Sequence, residues 1–275
     1  MLGAAQITAK KLILTDIYRQ ARSLPGRVFF SMIHSTKGIV IRTVKYGETS
    51  LIVSIYTELF GLQSYLVNGV RTASKKGPGK ANLFQPAAIL ELEAYHQDLK
   101  NLQRLKEFRW GYLYQHVFFN VRKNAVALFM VELLQKCLKQ PEGNQALFHF
   151  LEQAFIHLDG SSDQELANYP LYFAVRFAAE LGLGILNDYS TAKPFLDLRE
   201  GVFAADHPAH PHFLADSHAE IVSRLLNVEE PHDLGQIGLN QETRRVLLQA
   251  FQQYYALHIQ DFSVMKTLPV LQTVL

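Results

Sequence analysis

Cationic side chains concentrate in one glycine-rich stretch, "NGVRTASKKGPGKANLFQP" at 68–86. It contains Arg71, Lys75, Lys76 and Lys80, together with three glycines and no acidic residue. Cations set in this way can neutralise phosphates, and the counterions released from a nucleic acid then contribute to affinity. The glycines allow the backbone to conform to an irregular partner. The stretch therefore predicts a polyanion-binding loop, and the alternative is a solvated charged loop that binds nothing.

The same stretch does not form an ATP site. A phosphate-binding loop of that kind needs Gly, four residues, Gly-Lys and then Ser or Thr. Counting back from Gly79 and Lys80 places Ser74 where the first glycine should stand, and Ala81 follows the lysine. Because the motif is broken at two fixed positions, no nucleotide cofactor is predicted.

Histidines gather in a second stretch, "DHPAHPHFLADSH" at 206–218. Imidazole is a good zinc ligand, so a metal site at His207, His210 and His212 is one interpretation. Two prolines separate these histidines, no cysteine lies among them, and their spacing matches no catalytic signature. A polar surface loop is the favoured interpretation, and no metal is predicted.

Catalytic motifs are absent from the sequence. There is no G-x-S-x-G, no H-E-x-x-H and no complete G-x-G-x-x-G, since "LGLGILN" at 181–187 has Asn187 at the third glycine position. The single cysteine, Cys137, falls on the apolar face of a predicted helix and is predicted to be a core residue. The sequence therefore predicts a protein that is not an enzyme. A metal-dependent nuclease using the histidine stretch is a third alternative.

Composition indicates a folded chain with a large core. Of the 275 residues, 48% are hydrophobic, which excludes an intrinsically disordered protein. The longest apolar runs, such as "AVALFM" at 125–130, fall far short of the roughly 18 residues that a membrane-spanning helix needs. One cysteine cannot form an internal disulfide, which fits a reducing cytoplasm.

Charge is distributed unevenly along the chain. The net charge of +2 conceals +4 in residues 1–36, +7 in 37–125 and −9 in 126–275. A basic front and an acidic back predict a polyanion-binding module joined to a region with a different task. Met32 directly precedes the first strand-like pattern. We therefore predict that Met32 is the natural start and that 1–31 is a basic N-terminal extension.

The elements that would position these residues begin with a β pattern. Short β-branched runs indicate five strands, with the turn "GE" after the first and a hairpin glycine, Gly61, before the third. Pro86 is predicted to start the fourth strand, where a missing N–H is tolerated. Five strands with one long basic loop favour a small closed barrel, and the OB-fold is the commonest that binds nucleic acid. The runs lie at 38–46, 49–57, 61–70, 84–96 and 99–110.

After Trp110 the apolar period becomes helical. One or two buried helices are predicted over 110–140, and further helices at 144–160, 164–184, 216–227 and 240–258. The predicted fold class is therefore α+β: an N-terminal five-stranded OB-fold β-barrel over 32–110, followed by an all-α helical domain over 111–275. Its segment at about 186–215, rich in Pro and His, is predicted to be an irregular insert.

The order of these pieces resembles the RecO family of bacterial DNA repair proteins, which are recombination mediators. The front third carries the strand, Arg42 and "YGE" turn of "GIVIRTVKYGETSLIVSIYTELFGLQSYLVNGVR" at 38–71. The basic loop is then followed by "LFQPAAILELEAY" and by "LKNLQRLKEFR". The tail "RRVLLQAFQQYYALHIQDFSVMKTLPVLQ" at 244–272 matches the last helix of the family and its ending.

One departure from the family concerns zinc. Many family members have a four-cysteine zinc module just after the helix that ends here in "AAELGLG", whereas this chain has no cysteine in the following segment. It is therefore identified as a variant that lacks the zinc module. Apolar packing is predicted to hold the segment instead, through Phe195, Leu196, Leu198, Val202 and Phe203.

The resemblance implies a function in DNA repair without catalysis. It implies that the chain binds single- and double-stranded DNA, anneals complementary strands and, with RecR, helps to load RecA onto DNA coated by the single-strand binding protein. The C-terminal tail of that protein would occupy an apolar pocket of the helical domain. The expected location is the bacterial cytoplasm at the nucleoid, with no membrane partner. The alternative is a protein-interaction scaffold whose basic loop binds acidic protein partners rather than DNA.

The candidate DNA-binding residues are the cations of the predicted barrel and its loops. Five aromatic residues near them, Tyr46, Tyr65, Phe84, Tyr95 and Phe108, could stack on bases, although most are predicted to fill the barrel core. The candidates are Lys37, Arg42, Lys45, Arg71, Lys75, Lys76, Lys80, Lys100, Arg104, Lys106 and Arg109.

Overall fold

The computed structural model describes residues 32–71, 80–97 and 100–275. The predicted extension at 1–31 lies outside the described residues, as do Lys75 and Lys76 of the basic loop. The chain from Ile33 to Leu275 forms one compact unit, so the predicted division into domains at Trp110 stays a prediction.

The front of the chain folds into a closed five-stranded barrel. Its strands are β1 (Met32–Tyr46), β2 (Ser50–Thr57), β3 (Gly61–Val67), β4 (Ile89–His96) and β5 (Leu102–Trp110), in the order β1-β2-β3-β5-β4. The β3–β5 pair is parallel, and the pairs β1–β2, β2–β3 and β4–β5 are antiparallel. The predicted OB-like barrel is confirmed.

The barrel interior follows from alternation along the strands. Val53 and Ile55 of β2 point inward together with Tyr65 of β3 and Leu92 of β4, because successive side chains of a strand face opposite sides. A 3-10 helix at Lys80–Phe84 adds Phe84, which is 1% exposed, to the same core. The barrel therefore encloses a packed core.

Pro86 does not start β4, and that prediction is wrong. Pro86 lies in a turn three residues before the strand begins at Ile89. Ala87 there has a positive φ of 72°, and its N–H donates to the carbonyl of Val40 at 2.8 Å. The N–H of Val40 donates in turn to the carbonyl of Ala88 at 2.9 Å, and these bonds join β1 to the start of β4.

The rest of the chain is mainly helical. The helices are α1 (Val121–Cys137), α2 (Gln145–Gly160), α3 (Asp163–Glu180), α4 (Asp216–Leu226), α5 (Gln241–His258) and α6 (Leu268–Val274), with a 3-10 helix at Pro231–Gln236. Asn120 caps α1 by accepting the N–H groups of Arg122 and Lys123. Ser162 and Glu165 form a capping box at the start of α3. No helix among the described residues is long and apolar enough to cross a membrane.

The segment at about 186–215, predicted to be an irregular insert, contains regular structure. Strands β6 (Phe195–Asp197), β7 (Val202–Ala204) and β8 (Phe213–Leu214) form a small antiparallel sheet in the order β7-β6-β8. Leu196, Leu198 and Phe203 are buried, whereas Phe195 and Val202 are only partly buried. Strands of two or three residues are too short to show alternation in the sequence.

Helix α6 was not predicted either, because Pro269 and a short length conceal it. The carboxylate of Glu132 on α1 accepts the N–H groups of Lys266 and Thr267 at 2.9 and 2.8 Å and the Thr267 hydroxyl at 2.7 Å. Burial would raise the pKa of Glu132, but these hydrogen bonds together lower it. The family-like ending of the chain is thus anchored on α1.

The barrel and the helices share a hydrophobic core. Ile39 and Ile41 of β1 and Tyr56 of β2 belong to the same buried cluster as residues of the helices. Tyr56 stacks on Phe148 of α2 with a ring-centroid distance of 6.4 Å. The barrel wall that contains these residues is called the docked wall below.

Close backbone contacts accompany this packing. Gly61 has a φ of +60°, and a Cβ there would lie 2.3 Å from the carbonyl oxygen of Glu142. A Cβ at Gly143 would lie 2.2 Å from the carbonyl oxygen of Leu59. Only glycine fits at either position, so the β2–β3 hairpin and the loop before α2 are matched in shape.

Asp159 of α2 fixes the connection between β5 and α1. Its carboxylate accepts the N–H groups of Gln115, His116 and Val117, each at 2.8 Å, and the hydroxyl of Tyr112 at 3.3 Å. Burial would raise the pKa of Asp159, but the hydrogen bonds outweigh that effect and lower it. The carboxylate therefore stabilises the connector in its charged form.

Candidate nucleic-acid interface

Outward side chains nearer the other end of β1 and β2 form two rows that continue across β3 and β5. In one row Val44 is paired with Ile52, Ile52 with Leu66 and Leu66 with Arg104. In the other row Arg42 is paired with Ser54, Ser54 with Ser64 and Ser64 with Leu102. Directly paired residues point to the same side of a sheet. The exposed face is defined by Arg42, Val44, Ile52, Ser54, Ser64, Leu66, Leu102 and Arg104.

Two arginines lie at opposite ends of the exposed face. Arg42 is on β1 and Arg104 on β5, with β2 and β3 between them on this face. Both side chains are exposed, and neither forms an ion pair with any described residue. Between them lie serines and aliphatic side chains, of which Val44 is 43% and Leu102 39% exposed. The face therefore combines cationic edges with a neutral, partly apolar centre.

The ends of the basic loop are fixed beside the β1–β2 turn. The guanidinium of Arg71 donates to the carbonyl of Gly47 at 2.9 Å, and the Arg71 N–H donates to the carbonyl of Thr49 at 3.0 Å. On the returning side, the N–H of Ala81 donates to the carbonyl of Val70 at 3.2 Å. These bonds place the loop ends together.

Three further candidate cations lie at the ends of strands or of the basic loop. Lys45 is exposed near the end of β1. The ammonium of Lys80 lies 5.9 Å from the ring centre of Phe108. Lys100 is exposed just before β5. None of the three forms an ion pair with a residue that the structure describes.

Two predicted DNA-binding residues of β5 are engaged by carboxylates of β4. The guanidinium of Arg109 donates to Glu91 at 2.6 Å, and the ammonium of Lys106 donates to Glu93 at 2.9 Å. The pKa of Lys106 is raised, first by this hydrogen bond and then by the charge of Glu93. These cations differ from Arg104 on the same strand, which has no such partner among the described residues.

A third candidate, Lys37, is also paired. Its ammonium donates to the carboxylate of Glu152 on α2 at 2.8 Å. The hydrogen bond to Glu152 raises the pKa of Lys37, although partial burial opposes the shift. Lys37 therefore bridges the barrel and the helices.

A β-bulge separates Arg104, which forms no ion pair with a described residue, from the cations of β5 that are paired with carboxylates. Glu93 pairs with Glu107, whereas the next residue of β4, Ala94, pairs with Leu105. Lys106 is therefore the extra residue of β5, and a bulge re-aims the side chain at such a position. As a result Lys106 reaches Glu93.

A groove with an acidic lining opens along these pairs. Its cavity of about 410 Å³ is lined by four glutamates and two cations, so the lining has a net charge of −2. This acidic groove is defined by Ser35, Thr36, Lys37, Glu58, Glu91, Leu92, Glu93, Glu107, Phe108 and Arg109.

The candidate stacking aromatics divide between the core and the surface. Tyr65 and Phe84 are buried in the barrel, and Phe108 packs on Phe84 with ring centres 4.7 Å apart. Tyr46 is 54% exposed at the end of β1, and Tyr95 is paired with Arg104. Only the last two aromatics therefore adjoin the exposed face.

The histidines of the 206–218 stretch contact protein side chains. His210 lies 3.2 Å from the carboxylate of Asp197 on β6, and His212 contacts the amide of Gln253 on α5. His207 packs against aromatic rings of the small sheet. Among the described residues, no group of three or more His, Cys, Asp or Glu is placed to hold a metal ion.

Cys137 lies partly buried near the C-terminal end of α1. Burial raises the pKa of its thiol to about 12. Since the thiolate is the nucleophilic form, this environment suppresses the reactivity of Cys137 at neutral pH.

Sequence reasoning missed the carboxylates that engage Lys106 and Arg109. Glu91 and Glu93 alternate along "ELE" of β4, and "KEFR" follows in the next strand. This pattern indicates facing charges. The bulge at Lys106 shifts the register, so the pairing partners could not be assigned from spacing alone.

Comparison with known families covers nearly all of the described fold. A model described as "Recombination protein O N terminal" matches residues 32–113, and one described as "Recombination protein O C terminal" matches residues 119–267. The chain belongs to the RecO family. The resemblance seen in the sequence is thereby confirmed.

Individual relatives agree with this assignment. "DNA repair protein RecO" of Phocaeicola vulgatus is 34% identical over 243 residues, which are 88% of this chain and 98% of the relative. Its counterpart in Bacteroides fragilis is 34% identical over 245 residues, with the same two coverages. That of Christiangramia forsetii is 33% identical over 247 residues, 88% of this chain and 99% of the relative. Family membership supports a role in DNA repair by recombination, and these names denote no catalytic activity.

Proposed function

We propose that this chain is a non-enzymatic recombination mediator that binds single- and double-stranded DNA on its exposed face and anneals complementary strands. One observation carries the proposal: Arg42 and Arg104, without ion pairs among the described residues, flank a neutral surface of about two strand widths. Membership of a DNA repair family supports the same assignment.

The chemistry of the exposed face suits a sequence-independent grip. Arginine binds phosphate through paired N–H donors. Ile52 and Leu66 offer apolar surface without hydrogen-bond readout of bases. Annealing follows when the charge of two strands is neutralised while both are held loosely enough for their bases to pair.

The other cations without ion pairs among the described residues would extend this grip beyond the exposed face. Lys45, Arg71, Lys80 and Lys100 are the described members of that set. Lys75 and Lys76 complete the proposal from the sequence.

Family membership supports a set of proposed partners. With RecR, the chain would help to load RecA onto DNA coated by the single-strand binding protein, acting at the bacterial nucleoid. The helical region would bind the C-terminal tail of that coat protein in an apolar pocket.

The test is fluorescence anisotropy of a labelled single-stranded oligonucleotide across a salt series. Contact with about four phosphates predicts a log–log slope of roughly −3 for the wild type. The double variant Arg42→Gln/Arg104→Gln should reduce the magnitude of the slope by about 1.4, which is the contribution of two phosphates. Arg199→Gln with Arg224→Gln is the matched control, because both are exposed arginines of the helical region. A wild-type slope near zero would contradict the proposal.

A second candidate, a protein-interaction scaffold, is favoured by the aliphatic centre of the exposed face. The double variant Ile52→Ser/Leu66→Ser tests the scaffold role, since the two residues are paired in one row of the exposed face. The DNA role predicts a change in DNA affinity of about twofold or less. A scaffold predicts that binding to a protein partner such as RecR is lost.

A further inference from the structure

We propose that Glu91 and Glu93 confine DNA to the exposed face by holding Arg109 and Lys106 in ion pairs. This inference rests on the proposed DNA-binding function and adds a specificity device to the same barrel. Its basis is that one strand, β5, contains both free and paired cations.

The change from free to paired occurs at the bulge. Arg104 is paired across the sheet with Tyr95, which offers no charge. Beyond it, Lys106 lies 2.9 Å from Glu93 and Arg109 donates to Glu91 at 2.6 Å. DNA that followed β5 past Arg104 would meet cations already engaged.

A DNA phosphate that displaced Glu91 or Glu93 from its cation would gain little electrostatic free energy. A phosphate that captured Lys106 or Arg109 would replace one anion by another and leave a carboxylate unpaired beside the DNA. Because a fixed carboxylate already neutralises each cation, the engagement would also release few counterions from the DNA. The pairs therefore remove both cations from the binding path.

The surroundings strengthen this exclusion. Glu58 and Glu107 add two carboxylates to the acidic groove, and Lys37 is engaged by Glu152. A phosphate within about one Debye length, roughly 8 Å at physiological salt, is repelled by this lining. DNA is thus repelled on one side of Lys106 and attracted on the other, toward Arg104.

The experiment uses the full chain and the same oligonucleotide salt series. The double variant Glu91→Gln/Glu93→Gln keeps the side-chain shape and the hydrogen-bond acceptors but leaves Lys106 and Arg109 without a charged partner. Binding at about 0.1 M salt should tighten by about 3- to 10-fold, and the slope should steepen by about 1.4 as two phosphates are added. Adding Lys106→Gln and Arg109→Gln to this variant should abolish the gain. Glu200→Gln with Glu220→Gln in the helical region is the control matched for net charge.

Each outcome decides the inference. A gain that needs Lys106 and Arg109 supports it. No gain, an equal gain in the control, or a gain that persists in the fourfold variant would overturn it while leaving the DNA-binding function intact. Wild-type protein without salt-dependent binding would overturn the proposed function and this inference together. Thermal unfolding of each variant, monitored by circular dichroism, verifies that the fold is retained.

Discussion

Two regions of the outer barrel surface differ in what their side chains contact. Tyr56 and Ile52 both point outward from β2, four residues apart. Tyr56 is 2% exposed and packs on Phe148, whereas Ile52 lies on the exposed face between Val44 and Leu66. Equivalent positions of a strand thus have opposite surroundings, because the helices cover only one end of β2.

The difference separates stability from binding. The docked wall depends on shape, as the contacts at Gly61 and Gly143 require. Binding at the exposed face depends on charge, since Arg42 and Arg104 form no ion pair with the described residues and are available to a ligand. We expect substitutions on the docked wall to lower the free energy of unfolding and substitutions on the exposed face to alter DNA affinity.

The largest expected effect is on the docked wall. Tyr56→Ala should lower the free energy of unfolding by about 4 kcal/mol, because it deletes a buried aromatic ring. Ile52→Ala, on the same strand, should cost about 1 kcal/mol or less because its side chain is only partly buried. Urea unfolding measures both, and equal losses would contradict the distinction between the two regions.

The connector next to the docked wall should be nearly as sensitive. Asp159→Ala leaves three N–H groups without their acceptor and should cost about 3 kcal/mol in the free energy of unfolding. Asp163→Ala is the control, because its side chain is 78% exposed and its ion pair with Arg122 is worth about 1 kcal/mol or less. A control loss as large as that of Asp159→Ala would refute the assignment.

The pH dependence of stability sharpens the same test. The folded-state pKa of Asp159 is lowered, so its stabilising contribution is present above the unfolded-state pKa and is lost as pH falls through the folded-state pKa. Asp159→Asn should therefore lose less stability than the wild type on acidification over that range. Urea unfolding at several acidic pH values gives the comparison.

An effect of about the same size tests the fit of the hairpin. Gly61→Ala should cost about 3 kcal/mol, from a left-handed backbone plus the clash with the Glu142 carbonyl. Gly47→Ala has a similar φ of +57° but no atom within 4 Å of the added Cβ, so it should cost only about 1 kcal/mol. Thermal unfolding compares the two, and similar losses would show that the close contact is unimportant.

The sequence was sufficient to predict the barrel and most helices. Short β-branched runs indicated the five strands, and Gly61 marked the hairpin before β3. Alternation has only two states, inward and outward, so it could not distinguish Tyr56 from Ile52. That distinction depends on where α2 packs, which is a tertiary property.

The candidate site was predictable as a set of cations but not as a surface. Arg104, Lys106 and Arg109 were equivalent in the sequence, and the structure separates them through one bulge and two glutamates. A bulge adds a single residue to one strand, so spacing alone does not locate it. The short strands β6 to β8 were missed because they show too little pattern.

The most direct test of the central claim compares two pairs of cations in one salt series with single-stranded DNA. Arg42→Gln with Arg104→Gln removes free cations, and Lys106→Gln with Arg109→Gln removes paired ones, at the same change in net charge. We predict that the first variant loses about 1.4 units of slope and that the second keeps the wild-type slope, with affinity reduced by about twofold or less. An equal loss of slope in both variants would show that DNA crosses both faces of the barrel and would contradict this account.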